Sequence, residues 1–132
     1  MGVQDGVNAA KNAQSIGLPA GINIWCDLEG VATGTPAQAV IDYCQAWYNA
    51  VKAGGYVPGL YVGAGAILTG DQLYYKLSFQ HYWKSMSNVP MVTKRGYQLI
   101  QSAQTTGPNN FQIDPDTTQT DNLGGTVIWL KI

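Results

Sequence analysis

Over its first two-thirds the chain alternates helical and strand-like patterns three times, with crossovers long enough to keep successive strands parallel. Asp5 can cap a first helix, Val7, Ala10, Ala13 and Ile16 recur at helical spacing, and Gly17 ends it. Pro19 and Gly21 turn the chain into Ile22-Asn23-Ile24-Trp25-Cys26, a β-rich run that closes on Asp27-Leu28-Glu29-Gly30. A second helix carries a Thr35-x-x-Gln38 capping box, Pro36 at its first position and a Val40, Cys44, Trp47, Val51 stripe, and Gly54-Gly55 stops it. Leu60-Tyr61-Val62 reads as the second strand, Asp71 to Leu77 as a shorter helix, and the region around Tyr82-Trp83 as the third strand. Beyond these lie strand-like runs from Tyr97 to Gln101, up to Ile113, and from Thr126 to Leu130, with a polar turn at Pro108-Asn109-Asn110. The pattern describes one α/β domain over residues 1–132.

Composition removes several function classes. Charged residues are 11% of the chain against a usual quarter, the net charge is −1, and no run of like charges occurs, so nothing suggests a nucleic-acid or anionic-membrane surface. No apolar stretch reaches the roughly 18 residues of a membrane span, and no signal peptide opens the chain. One His, with neither a CxxC nor an HxxxH spacing, leaves zinc almost no ligands, so no metal or other cofactor is expected. Gly63-Ala64-Gly65-Ala66-Ile67 runs into Leu68 where a dinucleotide loop would carry its third glycine. The two cysteines, Cys26 and Cys44, are too few for a disulfide framework and read as buried thiols, close together between the first strand and the second helix.

The chemistry gathers at the end of the first strand. Side chains alternate across a strand, so Trp25, Asp27 and Glu29 share one face while Cys26 turns to the other. Glycosidic cleavage needs a protonated carboxyl for the leaving oxygen and a negative charge beside an oxocarbenium-like centre. Two carboxyls a few ångströms apart resist ionising together, which keeps one of them protonated near neutral pH. Glu29 is the only glutamate in the chain. A solvated strand end is the plain alternative for this pair. Tyr61 and Trp83 read equally as core filling, Asp114 before Pro115 as a turn residue, and His81 as a core or rim histidine.

Taken together, Ile24-Trp25-Cys26-Asp27-Leu28-Glu29-Gly30, Gly59-Leu60-Tyr61-Val62-Gly63, Tyr82-Trp83-Lys84-Ser85, Arg95 to Gln101 and Ile113-Asp114-Pro115-Asp116 resemble the DUF1906 family. This is the Rv2525c-like glycoside hydrolase-like domain, related to the family 25 lysozymes. The resemblance implies an α/β fold, the C-terminal portion of a (β/α) TIM barrel lacking its first strands. It also implies a glycosidase acting on bacterial cell-wall glycan of the peptidoglycan kind, with an extracellular or cell-envelope location. Glu29 matches the proton donor and Asp27 its electrostatic support. Tyr61 and Trp83 match aromatics suited to stacking on sugar rings, and Gln101 and Asp114 match polar residues of the last strands. A non-catalytic glycan-binding or cell-envelope module on the same fold is the second expectation. Family members carry a further strand with another aspartate before this region, so the chain is expected to be a homodimer of partial barrels or to associate with a missing N-terminal part.

Overall fold

The structure, a computed structural model, describes residues 1–131. Helix α1 (Gly2–Ser15) starts earlier than its pattern suggests, because its buried stripe is Gly2, Gly6, Ala10 and Ala13. A Cβ on Gly6 would lie 2.7 Å from the Trp47 carbonyl oxygen and 2.8 Å from Ala50 Cβ. The bare backbone there is what lets α1 lie against helix α2 (Ala37–Ala53). Asp5 therefore sits inside the first turn rather than at the cap, and its carboxylate accepts the Tyr43 hydroxyl at 2.7 Å. Ile16, expected on the buried stripe, is exposed.

Strand β1 (Asn23–Leu28) is the edge of a five-stranded sheet. Strands β2 (Val57–Val62), β3 (Tyr82–Lys84) and β4 (Leu99–Gln101) follow it in parallel, as the alternating pattern requires. The helix-covered face buries Cys26, Leu28, Leu60, Val62 and Tyr82. The Cys26 thiol meets the Cys44 thiol of α2, both free and both buried, as expected from strand parity. Hydrogen bonding to Cys44 and burial hold Cys26 protonated, far above the ordinary thiol range.

Two helix caps exchange places relative to expectation. The Thr35–Gln38 box does not form: the Thr35 hydroxyl donates to the Ala32 carbonyl at 2.7 Å, and Gln38 reaches forward to Asp42. Extended Pro36 caps α2 without a side-chain bond. The reciprocal box closes instead on helix α3 (Gly70–Tyr75), where Thr69 and Gln72 satisfy each other's backbone N–H groups.

After β4 no α-helix among the described residues returns the chain. A small hairpin of β5 (Thr105–Thr106) and β6 (Gln112–Ile113) intervenes, and β7 (Asp116–Thr118) pairs antiparallel to β4. The sheet order is β1-β2-β3-β4-β7, an open sheet with β1 and β7 at its edges. The expected strand from Thr126 to Leu130 is absent. That segment meets β1 at its first residue, through Asn23 N–H to the Ile128 carbonyl (2.7 Å) and Ile128 N–H to Asn23 Oδ1 (2.5 Å). Arriving at the very start of β1, it gains no length alongside the strand.

A buried polar knot sets that arrival. Asp121 Oδ2 accepts from Gln98 Nε2 and Arg95 Nη1, each at 2.7 Å, while Oδ1 accepts the backbone N–H groups of Leu123 and Gly125. Gln98, fully buried, also meets His81 Nδ1 at 2.8 Å and donates to the Gln80 carbonyl. Burial alone would push the Asp121 carboxyl up, but these donors together hold it below its ordinary value of 3.8. Replacing Asp121 by Ala strands Gln98 and Arg95, and is predicted to remove about 3 kcal/mol of stability in urea unfolding at pH 7. Because the folded-state value is depressed, the wild-type advantage is complete above the unfolded carboxylate value of about 3.9 and shrinks as pH falls through the folded one. An advantage that stays constant down to pH 2 would refute this assignment.

Candidate functional site

The open face of the sheet carries the alternate set of side chains. Cα pairing places Trp25 opposite Gly59, Asp27 opposite Tyr61, and Tyr61 opposite Trp83, so one row of functional groups crosses three parallel strands. Glu29 follows one residue beyond β1, and Gln101 ends β4. Trp25, Asp27, Glu29, Tyr61, Trp83 and Gln101 line one cleft of about 300 Å³ at the C-terminal ends of the strands.

Two glycines give these side chains their room. A Cβ on Gly59 would collide with the Trp25 ring, so the indole lies over bare β2 backbone. A Cβ on Gly63 would sit 2.5 Å from Glu29 Cβ, so Glu29 crosses β2 only because that position has no side chain. Trp83 is the centre of the aromatic cluster. Its ring meets Trp25 edge-on at 5.7 Å between centroids and Tyr61 edge-on at 4.9 Å. Its Nε1–H donates to Asp116 at 2.8 Å, and the Tyr61 hydroxyl donates to Gln101 Oε1 at 2.8 Å.

The carboxylates are held differently. Among the described residues neither Asp27 nor Glu29 accepts a hydrogen bond from the protein, which leaves their oxygens open to the cleft. Partial burial pushes the Asp27 carboxyl above its ordinary 3.8. The Tyr61 hydroxyl is pushed up by burial and then by the charge of Glu29. Among the described residues no group of three His, Cys, Asp or Glu side chains could hold a metal ion.

Of the residues singled out by sequence, Asp27, Glu29, Tyr61, Trp83 and Gln101 share this cleft. Asp114 does not: it is exposed in the connection between β6 and β7, outside the cleft lining. Asp116 reaches the site in its place, because antiparallel pairing sets it directly across from Gln101. Sequence reasoning passed over Asp116 and the ring contact of Trp25. The signal for Trp25 was its parity with Asp27, whereas nothing local separates Asp116 from Asp114.

The model of one protein family, the Rv2525c-like, glycoside hydrolase-like domain, matches residues 1–127. The chain belongs to that family. No curated protein and no solved structure matches it. Membership in a glycoside hydrolase-like family supports a glycosidase-like or glycan-related role for an α/β chain whose sheet is mostly parallel. No helix among the described residues is long and apolar enough to cross a membrane.

The glycine floor gives a direct check of the geometry. Gly59→Ala is predicted to leave the fold cooperative while displacing the Trp25 indole, changing near-ultraviolet circular dichroism and tryptophan emission. Spectra identical to wild type would show that Trp25 does not rest on β2.

Proposed function

We propose that this domain hydrolyses bacterial cell-wall glycan of the peptidoglycan kind, with Glu29 as general acid and Asp27 as its charged partner. The observation that carries the reading is the pairing of two unbonded carboxylates with an aromatic-walled cleft at one strand end. Glu29 gives its proton to the glycosidic oxygen, the C1–O bond breaks with its electrons going to the leaving sugar, and Asp27 stabilises the positive centre left behind. Water then supplies hydroxide to C1 and returns a proton to Glu29. Tyr61 and Trp83, braced by Gln101 and Asp116, offer the faces on which sugar rings stack.

In this reading the open sheet is an arc of a β/α barrel and the strand ends are its rim, where such folds carry their sites. Asp114 is left as a peripheral substrate contact. A cell-wall substrate places the protein outside the cell or in its envelope. The edges of β1 and β7 suit pairing with a second copy or with further strands.

A second reading is favoured by one observation: the aromatics are locked by hydrogen bonds while the carboxylates are not, as a non-catalytic glycan-binding module would have them. Dye release and pull-down with labelled peptidoglycan separate the two. The proposal expects release by the wild type, a loss of a hundredfold or more in Glu29→Gln, and wall binding retained by that variant. Binding without release favours the module, and absence of both rejects a glycan role. Because Asp27 acts as the ion and its value is raised, activity is predicted to fall with acid at a pH above 3.8, the ordinary aspartate value. An acid limb below that value would contradict the role of Asp27.

A further inference from the structure

The chain has eight tyrosines, and Tyr43, Tyr56, Tyr61, Tyr82 and Tyr97 each donate their hydroxyl proton to an acceptor within the protein. The hydroxyls of the other three, Tyr48, Tyr74 and Tyr75, have no acceptor among the described residues. All three line one depression of about 640 Å³. It shares no residue with the aromatic cleft and lies at the other end of the strands, where Ser78 and Gln80 lead into β3 and Arg95 stands before β4.

The sequence has no run of like charge, yet the fold collects three cations around these phenols. Lys52 of α2 holds its ammonium 5.7 Å from the centre of the Tyr48 ring, and Lys94 stands 5.6 Å from that of Tyr75. Arg95 lines the depression, with its Nη1 fixed by Asp121 at 2.7 Å. Its other guanidinium nitrogens have no partner among the described residues and are not sealed from solvent. Ser78 and Gln80 form hydrogen bonds through their backbones, which leaves the hydroxyl and the amide side chain open. No carboxylate lines the depression. Asp121 balances Arg95, so the excess positive charge is that of the two lysines.

From this gathering of uncommitted donors we propose a second ligand site, for a saccharide that carries an oxyanion, whether carboxylate or phosphate. A cationic ligand would meet like charge with no acid to balance it, and an apolar one would cover the phenols and the guanidinium without replacing their water. An oxyanion takes charge-assisted hydrogen bonds from Arg95 and lies in the field of Lys52 and Lys94. Sugar hydroxyls, which both donate and accept, suit the phenols, Ser78 and Gln80. The depression is large enough for a sugar as well as its charged group.

The test is calorimetric titration of the whole chain, at low ionic strength, with glucose 6-phosphate, glucuronate, glucose and inorganic phosphate. At least one of the two anionic sugars is expected to bind about tenfold or more tightly than glucose and than inorganic phosphate, and which one does so identifies the oxyanion. Lys94→Asn removes a charge at an exposed position whose φ of 63° asparagine tolerates, and Tyr75→Phe removes an exposed hydroxyl, so both variants keep the fold. Lys94→Asn is expected to lose most of the preference for the anionic sugar over glucose, and Tyr75→Phe to weaken the anionic sugar several-fold. Equal binding of glucose and both anionic sugars, or no binding of any, would overturn the proposal and leave the cleft reading untouched. Inorganic phosphate binding as tightly as the anionic sugars would overturn it by removing the saccharide. Wild-type affinities in both variants would overturn it by placing the ligand elsewhere.

Discussion

The packing of β1 against α2 fixes which side chains of that strand meet the cleft. Cys26 and Leu28 are drawn into the apolar layer with Cys44 and Val40, and the pleat then turns Trp25 and Asp27 to the opposite face. A slip of one residue would bury Asp27 among aliphatic groups and expose both Cys26 and Leu28. The thiol pair is small enough to bring strand and helix together, and contact with Cys44 and burial keep Cys26 protonated. Every later feature of the site inherits this register, because β2 pairs to β1 and β3 to β2 residue by residue.

The site combines rigidity and freedom. Trp83 and Tyr61 are pinned by Asp116 and Gln101 from strands on the far side of the sheet, and Trp25 is trapped over Gly59. A stacking platform held in this way loses little conformational freedom when a ring lands on it. The carboxylates instead face open space, with Gly63 leaving Glu29 room to lie across β2. Asp27 shares the cleft with the two indoles of that platform, and partial burial raises its proton affinity.

Much of this was legible in the sequence, for reasons that can be traced to particular residues. The alternation of patterns gave the parallel order of β1 to β4, and strand parity gave both the thiol contact and the Trp25–Asp27–Glu29 face. What failed depended on a competing local hydrogen bond in one case and on partners distant along the chain in the others. Thr35 looked like a cap, but its hydroxyl is taken by Ala32, whereas Thr69 has the same chemistry and a free Gln72. The Thr126–Leu130 run has strand composition yet no strand to lie beside, because the Asp121 knot delivers it to the first residue of β1. Asp116 rather than Asp114 reaches the site through an antiparallel pairing that no local pattern announces.

The central claim is that the aromatic row beside Asp27 and Glu29 is where sugar binds. The chain has four tryptophans, and two of them, Trp25 and Trp83, line the cleft, while Trp47 packs in the helix layer and Trp129 is exposed near the C-terminus. Their indole N–H signals report on the four places separately in a proton–nitrogen correlation spectrum. Titration with a soluble peptidoglycan fragment is predicted to shift the Trp25 and Trp83 signals together and saturably, leaving Trp47 and Trp129 in place. Binding that moved Trp129 alone, or that left both cleft signals unmoved, would contradict the account.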